Sequence, residues 1–125
     1  MITTIPLKDK YDYLAPDGSE IRLLPENKHG GMAHCILPVG KVSKAVKHKK
    51  VEEIWYILEG EGEIWRKNAE EEQVVDISPN ISLTIPAKTS FQFKNTGNVP
   101  LKILIATMPP WPGKQEAQPV DDYWK

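Results

Sequence analysis

Cysteine is nearly missing from this chain: Cys35 is the only one, so no disulfide can close within it. Its apolar surroundings, residues 32–37, predict a small buried hydrophobe rather than a nucleophile or redox sensor. Long hydrophobic runs are absent too, and nothing approaches the roughly 20 apolar residues that span a bilayer. The opening Met1-Ile2-Thr3-Thr4-Ile5-Pro6 lacks the basic and long apolar segments of a secretory signal, so the cytoplasm is the expected location. Net charge is small, with 16 Lys and Arg against 17 Asp and Glu. That balance argues against nucleic acid or an anionic membrane as the main partner. A phosphate-binding glycine loop, a nucleophile elbow and a Cys-x-x-Cys pair are also missing.

Turn formers, in contrast, are plentiful. Eleven prolines and eight glycines divide 125 residues into short segments, enough for one domain with one core. Short β-prone runs recur at residues 21–24, 32–37, 54–58, 63–65, 73–77, 81–85, 90–94 and 101–106. Groups such as Pro25-Glu26-Asn27, Gly60-Glu61-Gly62 and Asn95-Thr96-Gly97-Asn98 separate many of them. This pattern predicts an all-β sandwich or barrel.

Three stretches stand apart. Residues 1–18 are polar and Pro-interrupted, which predicts a loosely attached N-terminal arm before a barrel over 19–107. Residues 66–73, with Glu70, Glu71 and Glu72, read as a solvated hairpin tip. The tail, 108–125, carries Pro109, Pro110, Pro112 and Pro119, which disfavour regular sheet. Its Trp111, Tyr123 and Trp124 are expected to pack on the barrel or on a second subunit.

The chemistry-bearing stretch is Val46-Lys47-His48-Lys49-Lys50-Val51-Glu52-Glu53-Ile54-Trp55-Tyr56-Ile57-Leu58-Glu59-Gly60. Alternation along a strand puts Glu53, Trp55 and Ile57 on one face and Ile54, Tyr56 and Leu58 on the other. Both faces are largely apolar, so a second copy of the chain is expected to cover the outer one. Lys44, Lys47, Lys49 and Lys50 read as a solvated rim, with the alternative that they draw an anion to the barrel mouth.

This stretch resembles the first motif of the cupin superfamily, with Gly40, Val46, His48, Glu53 and Gly60 at the motif's spacing. The second motif falls on Asn80, Pro86, Lys88, Phe91 and Asn95. The resemblance covers roughly residues 32–107. It implies a double-stranded β-helix, or jelly-roll barrel, and often a homodimer. It also implies an interior metal held by histidines and a glutamate. Of those ligand positions His48 and Glu53 match, while Val46 and Phe91 carry no lone pair for a metal. His34, on a strand before the first motif, is the candidate for an extra donor. His29 lies in a loop signature and is expected in solvent.

If Trp55, Phe91 and Phe93 face inward with His48 and Glu53, the barrel holds a mostly apolar pocket with a few converging polar groups. Aromatics that simply fill the core are the alternative. Three readings follow, in order of preference. The first is a cupin that binds a small organic molecule, such as a sugar or carboxylate, without a full metal site. The second is an isomerase, lyase or dioxygenase using a divalent metal on His48 and Glu53. The third is a structural or regulatory dimer with a filled barrel. Whether the chain is an enzyme stays open, because fold alone does not choose.

Overall fold

The computed structural model describes residues 2–125. In chain order its strands are β1 (Tyr13–Leu14), β2 (Glu20–Glu26), β3 (Gly31–Leu37), β4 (Val46–His48), β5 (Glu52–Glu59) and β6 (Gly62–Lys67). They continue with β7 (Glu72–Ile77), β8 (Ser82–Ile85), β9 (Ser90–Asn95), β10 (Leu101–Met108) and β11 (Ala117–Pro119). Two antiparallel sheets result, in the orders β1-β2-β3-β10-β5-β8 and β11-β4-β9-β6-β7. Facing each other, they form the double-stranded β-helix. No helix among the described residues is long and apolar enough to cross a membrane.

Alternation decides what enters the barrel. Along β5, Glu53, Trp55 and Ile57 are buried while Ile54, Tyr56 and Leu58 are exposed. On β10, Leu101, Ile103, Ile105 and Thr107 turn inward in the same way. Trp55, Phe93, Ile57, Ile64 and Leu101 belong to one fully buried apolar cluster, joined by Cys35. Burial in that cluster drives the Cys35 thiol pKa far up, so the residue behaves as a small hydrophobe.

The hairpin joining β5 to β6 shows why glycine closes the first motif. Gly60 has φ +88°, and a Cβ there would lie 2.7 Å from the Pro100 carbonyl oxygen. In the second motif the same backbone freedom is used without glycine: Asn80 and Lys88 adopt φ of 76° and 65°. Asn95 earns its place structurally. Its Nδ2 donates to the Leu37 and Val99 carbonyls at 3.0 and 2.9 Å, and its Oδ1 accepts from the Gly97 amide at 2.9 Å.

Both termini depart from expectation. The N-terminal arm is extended and is tied down over its second half, from Lys8 onward. Arg22 donates to the backbone carbonyls of Lys8 and Asp9, β1 pairs with β2, and Asp17 is buried. The tail was expected to avoid regular sheet, yet β11 pairs with β4. It does so as an edge strand, where Pro119 needs no second ladder partner. Beyond it, the buried Gln92 clips the tail to its own barrel. Its Oε1 accepts from the Tyr123 and Trp124 amides at 2.8 and 2.9 Å, and its Nε2 donates to the Ser43 carbonyl at 2.9 Å. Tyr123 stacks on Trp65, with ring centroids 5.4 Å apart.

Lys88 is exposed and carries a side chain in a left-handed conformation that glycine occupies without strain. Lys88→Gly is therefore expected to stabilise the fold by about 1 kcal/mol. Thermal unfolding should show the melting temperature rising by about 4 °C, whereas a fall would contradict the strain.

Candidate functional site

The two replaced ligand positions are cross-strand partners: Val46 on β4 lies opposite Phe91 on β9. Both are buried, so an apolar contact takes the place of two imidazoles. His48, two residues along β4 from Val46, shares its inward face. The His48 ring is wedged edge-on between Phe91 and Trp111, with centroid distances of 5.3 and 5.0 Å. Glu53 enters from β5, and its Oε1 accepts a hydrogen bond from Trp55 Nε1 at 2.8 Å. Trp55 meets Phe91 and Phe93 edge-on at 5.8 and 5.0 Å.

Glu53 Oε2 stands 3.9 Å from His48 Nδ1, too far for a hydrogen bond, and that nitrogen has no other partner. The two groups do not form an ion pair. Burial pushes the Glu53 carboxyl up to about 7, against the hydrogen bond from Trp55 and with a further rise from the Asp17 charge. Burial likewise lowers His48 to about 4, although Glu116 pulls the other way. At neutral pH the imidazole is uncharged, and the carboxyl is poised to take up or release a proton.

His48, Glu53, Trp55 and Phe91 line one cavity of about 210 Å³ inside the barrel. Phe93, the fifth residue assigned to this pocket, is not on its wall. It lies further along β9, in the packed apolar half of the barrel. His34 is corrected as well. Cys35 and Leu37 take the inward positions of β3, leaving His34 on the outer face between Arg22 and Leu104. Burial first, then the charges of Arg22 and Lys102, lower its pKa. His29 is exposed in its loop, as expected.

Among the wall residues that sequence reasoning missed are Tyr13, Asp17, Thr107 and Trp111. Thr107 was readable from β10, because it shares the inward parity of Ile103 and Ile105. Asp17 carried no signal, since Asp17-Gly18 reads as an ordinary turn. Its Oδ1 accepts from the Ser19 amide and hydroxyl at 2.9 and 2.6 Å, and burial raises its pKa despite those bonds. Glu116 supports the site from behind. It takes the Lys50 and Val51 amides at 2.6 Å each, and these hold its pKa low against its own burial.

The residues present do not fit a resident metal. No group of three or more His, Cys, Asp or Glu side chains converges on a metal-binding geometry among the described residues. A tightly bound transition metal needs about three or four protein donors. Here Val46 and Phe91 offer none, and His48 and Glu53 stand alone.

The model of the cupin domain matches residues 33–107, and the chain belongs to the cupin family. It is 41% identical over 120 residues to an uncharacterised protein of Methanocaldococcus jannaschii, covering 89% of this chain and 93% of that one. Among solved structures it resembles a predicted oxalate decarboxylase of Thermotoga maritima, with 28% identity and a TM-score of 0.61. That match covers 73% of this chain and 80% of the other. A protein of Bacillus halodurans matches with a TM-score of 0.68 at 21% identity, over 86% and 80% of the two chains, a likeness of fold alone.

The two shifted groups oppose each other in pH. Glu53 holds its proton more tightly when folded, so its stabilising contribution is full below about 4.5 and is lost as pH rises through about 7. His48 loses its contribution as pH falls from 6.5 through about 4. The two contributions largely cancel between pH 4.5 and 6.5, which leaves a shallow stability maximum near pH 5 to 6, although Glu53 alone would lose about 3 kcal/mol across its range. Chemical denaturation across pH should show Glu53→Gln removing that cancellation, so that stability rises from about pH 4 to 6.5 with His48 alone; an unchanged profile would place the titrating group elsewhere.

Proposed function

We propose that this cupin binds a small organic molecule in the mouth half of its barrel, without a resident metal. The observation that carries the reading is the 210 Å³ cavity walled by His48, Glu53, Trp55 and Phe91. The space falls short of the roughly 300 Å³ at which drug-sized pockets begin. It exceeds the roughly 150 Å³ of an apolar cavity that takes in a benzene ring. The ligand is accordingly small. A filled barrel accounts for the half occupied by Phe93, Ile57 and Leu101, but not for the half around His48. The metal-dependent alternative would need a third donor, and His34 faces away.

We also propose that a second copy covers the outer face of the larger sheet. Ile54, Tyr56 and Leu58 remain 48, 42 and 42% exposed there, side by side with Leu104.

Two tests follow. Ala33 lines the cavity, and Ala33→Leu should fill it; NMR titration with a library of small aromatic fragments should then lose the shifts seen in the unmodified protein. Shifts that persist would put the binding site elsewhere. In light scattering, Ile54→Lys should convert a dimer to a monomer, and a monomeric unmodified chain would refute the second copy.

A further inference from the structure

The cavity has a definite electrical character. Asp17 and Glu53 sit on its wall and Glu26 at its mouth, while no Lys or Arg lines it. Lys44, Lys49 and Lys50 are exposed, and none of the rim lysines reaches the interior. A small anion inside would meet like charge with no compensating cation, a costly arrangement in a low-dielectric space. Oxalate, on which the predicted Thermotoga decarboxylase would act, is an anion of this kind.

The open polar atoms agree with the charge. Glu53 spends Oε1 on Trp55 and Asp17 spends Oδ1 on Ser19. Glu53 Oε2 faces His48 Nδ1 across 3.9 Å, and His48 is only 4% exposed. That buried nitrogen lacks a partner. Glu53 Oε2 accepts no hydrogen bond from the protein, which leaves it as the open acceptor beside the cavity. Around this point stand Trp55, Phe91, Trp111 and Tyr13, whose ring faces attract cations.

We propose that the ligand is a small organic cation, a protonated amine. Its nitrogen would sit against Glu53, on the side of the cavity that Asp17 makes negative, and its apolar body would lie against the aromatic wall. This inference rests on the cavity-binding reading above and adds the sign of the ligand's charge. Glu26 marks the entry for such a cation, with Tyr13, Pro16, Leu23 and Trp111 lining both the interior and a groove outside it. Lys114 is the only cation in that outer groove.

The test compares three molecules of similar shape by calorimetry and NMR at neutral pH: benzylammonium, benzyl alcohol and benzoate. Benzylammonium should bind about tenfold more tightly than benzyl alcohol, and benzoate should not bind. Glu53→Gln and Asp17→Asn should each weaken benzylammonium by about tenfold while leaving benzyl alcohol unchanged, which also reports an intact cavity. If one variant fails to fold, the other decides. Benzyl alcohol binding as well as benzylammonium, or benzoate binding better, would overturn the cation and leave the cavity reading standing. Silence from all three, with Phe91 and Trp111 resonances unmoved, would overturn both.

Discussion

Placing the Glu53 carboxyl inside an apolar barrel sets the terms for everything around it. Strand alternation on β5 cannot bury Trp55 and Ile57 without burying Glu53. In a metal-binding relative of this fold, a cation with its imidazole ligands would compensate that charge. Here Val46 and Phe91 close off the remedy. Trp55 Nε1 satisfies one oxygen, and burial raises the acid to about 7, so that it is partly ionised at neutral pH. The same desolvation leaves His48 uncharged. The site is thus a pair of buried, uncompensated groups facing an open space.

The barrel is divided along its length. At one end Ile57, Ile64, Phe93 and Leu101 are fully buried, and the Gly60 hairpin presses on Pro100 and Leu101. At the other end the arm brings Tyr13 and Asp17, and the tail brings Trp111, to the wall around His48. The termini therefore shape the site as much as the two motifs do. Gln92 and Arg22 hold them in place, one on each sheet.

What was legible in the sequence followed from periodicity and spacing. Both motifs kept their spacing even where Asn80 and Lys88 replaced glycine, because the backbone kept the same positive φ. Inward faces of β5 and β9 followed from parity, so His48, Glu53, Trp55 and Phe91 were found together. Parity does not say how far along the barrel a residue sits, which is why Phe93 was placed in the pocket. Nor does it choose which face of β3 is inward, since His34 and Cys35 both flank apolar neighbours. Asp17 and the β11 pairing depend on long-range packing, Asp17 buried at the base of the arm and Pro119 at a sheet edge, that no local pattern encodes.

The central claim is an open, metal-free cavity beside His48. A crystal structure of the protein under xenon pressure, with anomalous data, tests it most directly. Xenon should appear against Phe91 and Trp55 with no metal peak between His48 and Glu53. An anomalous metal signal on those two residues, or a barrel that admits no xenon because side chains fill it, would contradict the claim.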